Sequence, residues 1–206
     1  MPGVGLRHNA SVSKKIKMPP IDNDKVAQRL ARASSEQLLV SVRRWIPDAD
    51  RIDGFVVGVG SEWVAVAKVG SAIRLDGWCF VRLADVQSVY IEPDPECFEV
   101  RALKARGEWP PKAALADLDS PRALIESVAQ TAPMVSLHAE FDRPDICWEG
   151  AVTSINEATV DLLEISTRAV WYTETRPVDL DDITRVEVGG GYEEALILVA
   201  GPPPAR

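Results

Sequence analysis

The sequence predicts a mainly β protein with short helices, built as two tandem five-stranded barrels, each preceded by a helix. Three observations carry this prediction. Blocks of similar pattern recur in the same order about 96 residues apart, as in Gly54 against Gly150. The segments between turns alternate apolar and polar residues with the period of a strand that buries one face. Each copy opens with a capped stretch whose apolar residues recur at helical spacing.

The clearest block is Asp53-Gly54-Phe55-Val56-Val57-Gly58-Val59 against Glu149-Gly150-Ala151-Val152-Thr153-Ser154-Ile155. It continues without a gap, so that Val64 meets Val160, Val66 meets Leu162 and Val69 meets Ile165. A second block sets Val81–Ile91 against Val178–Val188 and shares the pattern V-x-L-x-D-[VI]-x-x-V-x-[IV]. Upstream, Val40-Ser41-Val42 matches Val135-Ser136-Leu137. The blocks divide the chain into a basic N-terminal arm (1–21), a first unit (22–104), a linker (105–118), a second unit (119–201) and a short tail (202–206).

In the first unit Asp22, Asn23 or Asp24 caps a helix carrying Val26 and Leu30. In the second, Asp119 or Ser120 caps, Pro121 takes the first turn, and Leu124, Ile125 and Val128 form the stripe. Leu38–Ile46 and Met134–Phe141, rich in β-branched and aromatic residues, are expected as first strands ending at Pro47-Asp48 and Asp142-Arg143-Pro144. Phe55–Val59 and Trp63–Val69 form an expected hairpin broken at Gly60-Ser61-Glu62, with Asn156-Glu157 at the corresponding break. Val81–Ile91 and Val178–Val188 are expected as bent fourth strands, and Phe98–Leu103 and Leu196–Ala200 as fifth. So small a sheet is expected to close on itself, which also removes its exposed edges.

The helix, the bent strands, the early glycine of the second strand (Gly54, Gly150) and the D-[VI]-x-x-V signature resemble the Sm-like fold over roughly residues 22–104 and 119–201. SH3-like barrels share the layout. The resemblance implies ring assembly and RNA binding through two loops, but the loop motifs differ here. Gly60 and Val64, and Asn156 and Val160, stand where the family presents Asp and Asn. Pro93-Asp94-Pro95 and Gly189-Gly190-Gly191 stand where it carries Arg-Gly, flanked by Glu92, Glu96, Glu187 and Glu193.

The bulk composition narrows the function classes. A formal net charge of −8 is unfavourable for a surface that neutralises phosphates, and the arm with Arg7, Lys14, Lys15 and Lys17 is the one basic stretch. No apolar run reaches the roughly 18–20 residues of a membrane span. Cys79, Cys97 and Cys147 are odd in number and lack metal-ligand spacing, which points to a reducing cytoplasm without a disulfide framework.

No catalytic set, cofactor or metal site emerges from the residue pattern. His8 lies in the arm, and His138 takes the slot of Arg43, as a solvent-facing strand residue would. Asp85 matches Asp182, so the Asp181/Asp182 pair is expected at a structural turn. The Gly189-Gly190-Gly191 run reads as a turn rather than a phosphate loop, with a helix from Tyr192 as the alternative to the fifth strand. Of the six tryptophans, Trp63 faces Thr159 in the other copy, so the repeat does not require an aromatic there.

The expected function is therefore a non-catalytic interaction or assembly module that binds a protein partner or self-assembles, including as a homo-oligomeric ring. The expected interaction surface comprises Trp63, Glu62, Asn156, Glu157, Lys14, Lys15 and Lys17. RNA binding through the arm or a non-standard face is the first alternative. Inhibition of a partner enzyme, in the manner of an immunity protein, is the second.

Overall fold

The computed structural model describes residues 20–204. Lys14, Lys15 and Lys17 lie outside that range. Among the described residues ten strands form one antiparallel sheet in two matching halves. The first half contains α1 (Asn23–Glu36), β1 (Leu39–Arg44), β2 (Ile52–Val59), β3 (Trp63–Val69), β4 (Leu75–Arg82), β5 (Val86–Ile91) and α2 (Phe98–Arg106). The second contains α3 (Pro121–Thr131), β6 (Val135–His138), β7 (Cys147–Ile155), β8 (Thr159–Ile165), β9 (Trp171–Asp179), β10 (Arg185–Val188) and α4 (Gly191–Ala200).

The strand order is β5-β1-β2-β3-β4-β10-β6-β7-β8-β9. Each half thus runs fifth, first, second, third, fourth, and the halves join where β4 pairs with β10. The registers also correspond. Gly54 pairs with Lys68 and Gly150 with Glu164, and both hairpins bulge at the same step, between Val56 and Gly58 and between Val152 and Ser154. A Cβ on Gly54 would collide with the Ala67 carbonyl, and one on Gly150 with the Leu163 carbonyl. The bent strands approach so closely at these two points that only glycine fits.

The sheet does not form two closed barrels. Closure within each half was expected because it removes exposed edges, but pairing across the halves does the same for two of the four. β4 spends its free side on β10, leaving β5 and β9 as the two outer strands. The fifth strands expected at Phe98–Leu103 and Leu196–Ala200 are helices. A 3-10 turn at Leu83–Asp85 splits the Val81–Ile91 block, so the fifth strand is already supplied by Val86–Ile91. The helix alternative from Tyr192 is the one adopted, with Gly190 at its N-cap.

Both helices expected at the unit starts are present, capped by Asp22 on the Lys25 N–H and by Ser120 on the Ala123 N–H. Val26, Leu30 and Ala33 of α1 cover a first core made by Val40, Val42, Ile52, Val56, Val64, Val66 and Val81. Leu124, Ile125 and Val128 of α3 cover a second core with Val135, Leu137, Val160, Leu162, Ile183 and Val186. That second core also takes Trp63, Ala65 and Phe80 from the first half. β3 is therefore buried on both faces, where one wet face had been expected.

The connecting segment threads between the halves. Ala114, Ala116 and Leu118 pack against the second core, and the Leu118 carbonyl accepts from the N–H groups of Glu62 and Trp63. Among the described residues no helix is long and apolar enough to cross a membrane.

Candidate functional site

The seam between the halves gathers most of the buried polar chemistry. Arg44, at the end of β1, has its side chain fully covered and meets Glu140 just beyond β6. Nη2 of Arg44 donates to Oε1 of Glu140 at 2.7 Å, and Nη1 donates to Oε2. Thr184 donates to Oε2 at 2.7 Å, and Arg185 stands 3.6 Å from Oε1. Burial alone would raise the Glu140 carboxyl, but the hydrogen bonds and charge of Arg44, with Thr184 and Arg185, hold it below its ordinary value.

Beside this pair, on the same face of the sheet, a groove of about 490 Å³ runs across the seam. β3 and β4 contribute Lys68 and Asp76, β6 and β7 contribute Ser136, His138, Cys147 and Glu149, and β10 contributes Arg185 and Glu187. Tyr192 and Glu193 close one end from α4, and Asp50, Arg51 and Asp53 border it from the loop before β2 and from β2 itself. The lining holds six carboxylates against three permanent cations.

Lys68 Nζ lies 2.5 Å from Glu187 and 3.9 Å from Asp76. Burial would lower the lysine, but Glu187 raises it; burial would raise Glu187, but Lys68 and Arg185 lower it. Both charges are therefore kept. His138 is different: burial and the adjacent Arg185 bring it down to about 4. Arg185 lies 3.0 Å from Nδ1, and a guanidinium only donates. Nδ1 must accept, which places the imidazole proton on Nε2. His138 is thus largely covered, not the open strand residue that its place in the repeat suggested.

Ser136 bridges two carboxyl groups. Its Oγ touches Glu149 and lies 2.9 Å from Glu193. Burial raises Glu149 above the usual carboxyl range, and the charge of Glu193 adds to the effect. One hydroxyl proton serves one strong hydrogen bond, so the two carboxyl groups compete for the Ser136 hydroxyl. In the first half Ser41 makes the same cross-strand contact to Asp53. Glu193 is the member that the first half lacks.

At the groove mouth, partial burial of its sulfur and the neighbouring Glu149 push the Cys147 thiol up to about 11. Cys79 is buried and raised further, chiefly by desolvation. Among the described residues no group of three or more His, Cys, Asp or Glu side chains is arranged to hold a metal.

The residues expected at an interaction surface are not brought together. Glu62, Asn156 and Glu157 are exposed at two different hairpin tips. Trp63 is fully buried in the second core, with the Arg82 guanidinium 5.8 Å from its ring centre. Its aromatic character belongs to the contact between the halves rather than to an open surface. Asp182 is exposed in the turn before β10, as expected of a turn residue, and Asp85 holds the corresponding turn before β5. The glycine run opens α4, and the Gly191 N–H is taken at 2.8 Å by Asp76, which leaves an anion poorly placed there.

Sequence reading missed Glu193, Lys68 and Arg185 because they converge only through the pairing of β4 with β10. The available signal was their departure from the repeat: Lys68 corresponds to Glu164, and Arg185 to Ser88. Comparison of the chain with protein-family models, curated proteins and solved structures found no match in any of the three.

Proposed function

We propose that this protein is a non-catalytic interaction module made from two copies of one Sm-like unit fused edge to edge, and that the seam groove receives a cationic group of a protein partner. The matching strand order and bulge positions support duplication. The observation that carries the groove assignment is the Glu149–Ser136–Glu193 bridge, a largely covered carboxyl pair with no cation paired to it among the described residues. A lysine or arginine entering there would offset the two carboxyl groups and draw the raised Glu149 back toward its ordinary value.

The surrounding chemistry supports a holding site over a reacting one. The thiol at the mouth is raised, His138 stays neutral, and Ser136 is bonded to carboxyl groups rather than to a base. A protein that takes up a basic partner in this way is suited to inhibiting that partner. The acidic lining disfavours nucleic acid, whose phosphates need cations.

The test is calorimetric titration of an arginine-rich peptide, repeated at several salt concentrations. Salt-sensitive binding is expected, weakened at least about tenfold in Glu149→Gln/Glu193→Gln, a loss of roughly 1.4 kcal/mol. Equal binding by the variant, or tighter binding of an oligoribonucleotide than of the peptide, would remove the proposal.

A further inference from the structure

The seam has a counterpart at each end of the sheet. In the seam Val186 lies opposite Phe80, flanked by Arg185–Val81 and Glu187–Cys79. β5 meets β1 in the register in which β10 meets β6, with Val42–Val89 matching Leu137–Val186. β9 meets β8 as β4 meets β3, with Asp161–Pro177 matching Ala65–Phe80. A second copy added head to tail at either end would therefore set Val89 opposite Pro177.

Both members of that pair are altered. Pro177 has no N–H to give to a neighbouring strand. The Val89 carbonyl accepts instead from Nη1 of Arg29 at 2.6 Å. Helix α1, which carries Arg29, lies across β2 and β5, whereas α3 lies chiefly against β7.

The faces differ in the same sense. Trp63, Ala65 and Phe80 fill the second core, and Arg82 donates to the Leu180 carbonyl at 3.0 Å. The corresponding residues on β8 and β9 are Thr159, Asp161, Pro177 and Asp179, polar or proline, with the last two exposed. Proline, charge and a covering side chain are the means by which natural sheets blunt their edges.

We infer that the chain is a terminated two-unit segment: its outer strands are built to refuse the head-to-tail contact that joins its own halves, so a second copy is excluded from both edges. This rests on the duplicated-unit reading and not on the ligand of the groove. The homo-oligomeric ring expected from the sequence has no place in it.

Sedimentation velocity of the full chain over a wide concentration range provides the test. The wild type is expected at its monomer mass of 22.5 kDa throughout. Thr159→Trp/Asp161→Ala/Pro177→Phe/Asp179→Arg, combined with Arg29→Ala, restores the first half's face on the second and frees the β5 edge. It is expected to form dimers and higher multiples as concentration rises. Arg29→Ala/Pro177→Val alters only the backbone contacts and is expected to shift measurably toward dimer even if the larger variant does not fold. A wild type that self-associates overturns the inference, as does a natively folded Arg29→Ala/Pro177→Val variant that stays monomeric at every concentration. Failure of the peptide titration leaves these masses unchanged, so the two readings fail separately.

Discussion

Replacing Glu140 with glutamine should destabilise the protein by roughly 3–5 kcal/mol, the usual cost of leaving one member of a buried ion pair without its partner. The structure sets that size. Among the described residues Arg44 is fully covered, Glu140 is its one bidentate partner, and the Nε of Arg44 has no hydrogen bond to fall back on. Glutamine keeps the shape but removes the charge that made the burial of the guanidinium tolerable. Arg44→Met should cost a similar amount, because it strands Glu140. In Arg44→Met/Glu140→Leu both charges are gone, and most of the loss should be recovered, giving a coupling of at least about 2 kcal/mol in the double-mutant cycle. The assay is urea unfolding at neutral pH, followed by tryptophan fluorescence and circular dichroism. Because Arg44 and Glu140 belong to different halves, both probes should report one transition. Single substitutions that each cost less than about 1 kcal/mol, or a strictly additive double variant, would refute the reasoning.

Three further outcomes are expected. His138 has a folded pKa of about 4, below its unfolded value near 6.5, so it contributes stability that is complete above 6.5 and lost as pH falls toward 4. That gap is worth roughly 3 kcal/mol, and His138→Gln should flatten the slope of unfolding free energy over this window. Glu149 is raised, so its contribution is present below its unfolded value near 4.5 and lost as pH rises through its folded value. Glu149→Gln should therefore raise the neutral-pH urea midpoint relative to the wild type. Trp63→Ala should cost roughly 3–5 kcal/mol by calorimetry because it empties a fully buried site in the second core, whereas Thr159→Ala at the corresponding position should cost under about 1 kcal/mol.

The local elements were largely legible in the sequence, and their connections were not. The hairpin about Gly60-Ser61-Glu62, its counterpart about Asn156-Glu157, and both capped helices follow from period and turn chemistry that act within a few residues. Which strand lies beside β4 is set by contacts more than a hundred residues apart, as in Phe80 with Val186. One local clue was present. The run Trp63-Val64-Ala65-Val66-Ala67 is apolar throughout, as a strand buried on both faces must be, while Thr159-Val160-Asp161-Leu162 alternates. Reading Trp63 as a surface aromatic gave weight to its difference from Thr159 but not to this continuous run.

The candidate site followed the same rule. Ser136 and Glu149 could be matched to Ser41 and Asp53 within the repeat. Glu193 and Lys68 enter the groove through α4 and β3, which reach it only once the halves are joined. Helix α4 was obscured by the β-branched and apolar composition of Leu196–Ala200, and tertiary context overrode that preference.

The groove, the buried ion pair and the blocked edges all depend on the two halves sharing one sheet through β4 and β10. Native-state hydrogen exchange tests this most directly. The amides of residues 78–81 and 185–188 whose N–H groups bridge the seam should exchange only with global unfolding, at the same free energy as the central amides of β2 and β3. Seam amides that open several kcal/mol below that level, while both hairpins stay protected, would contradict the account.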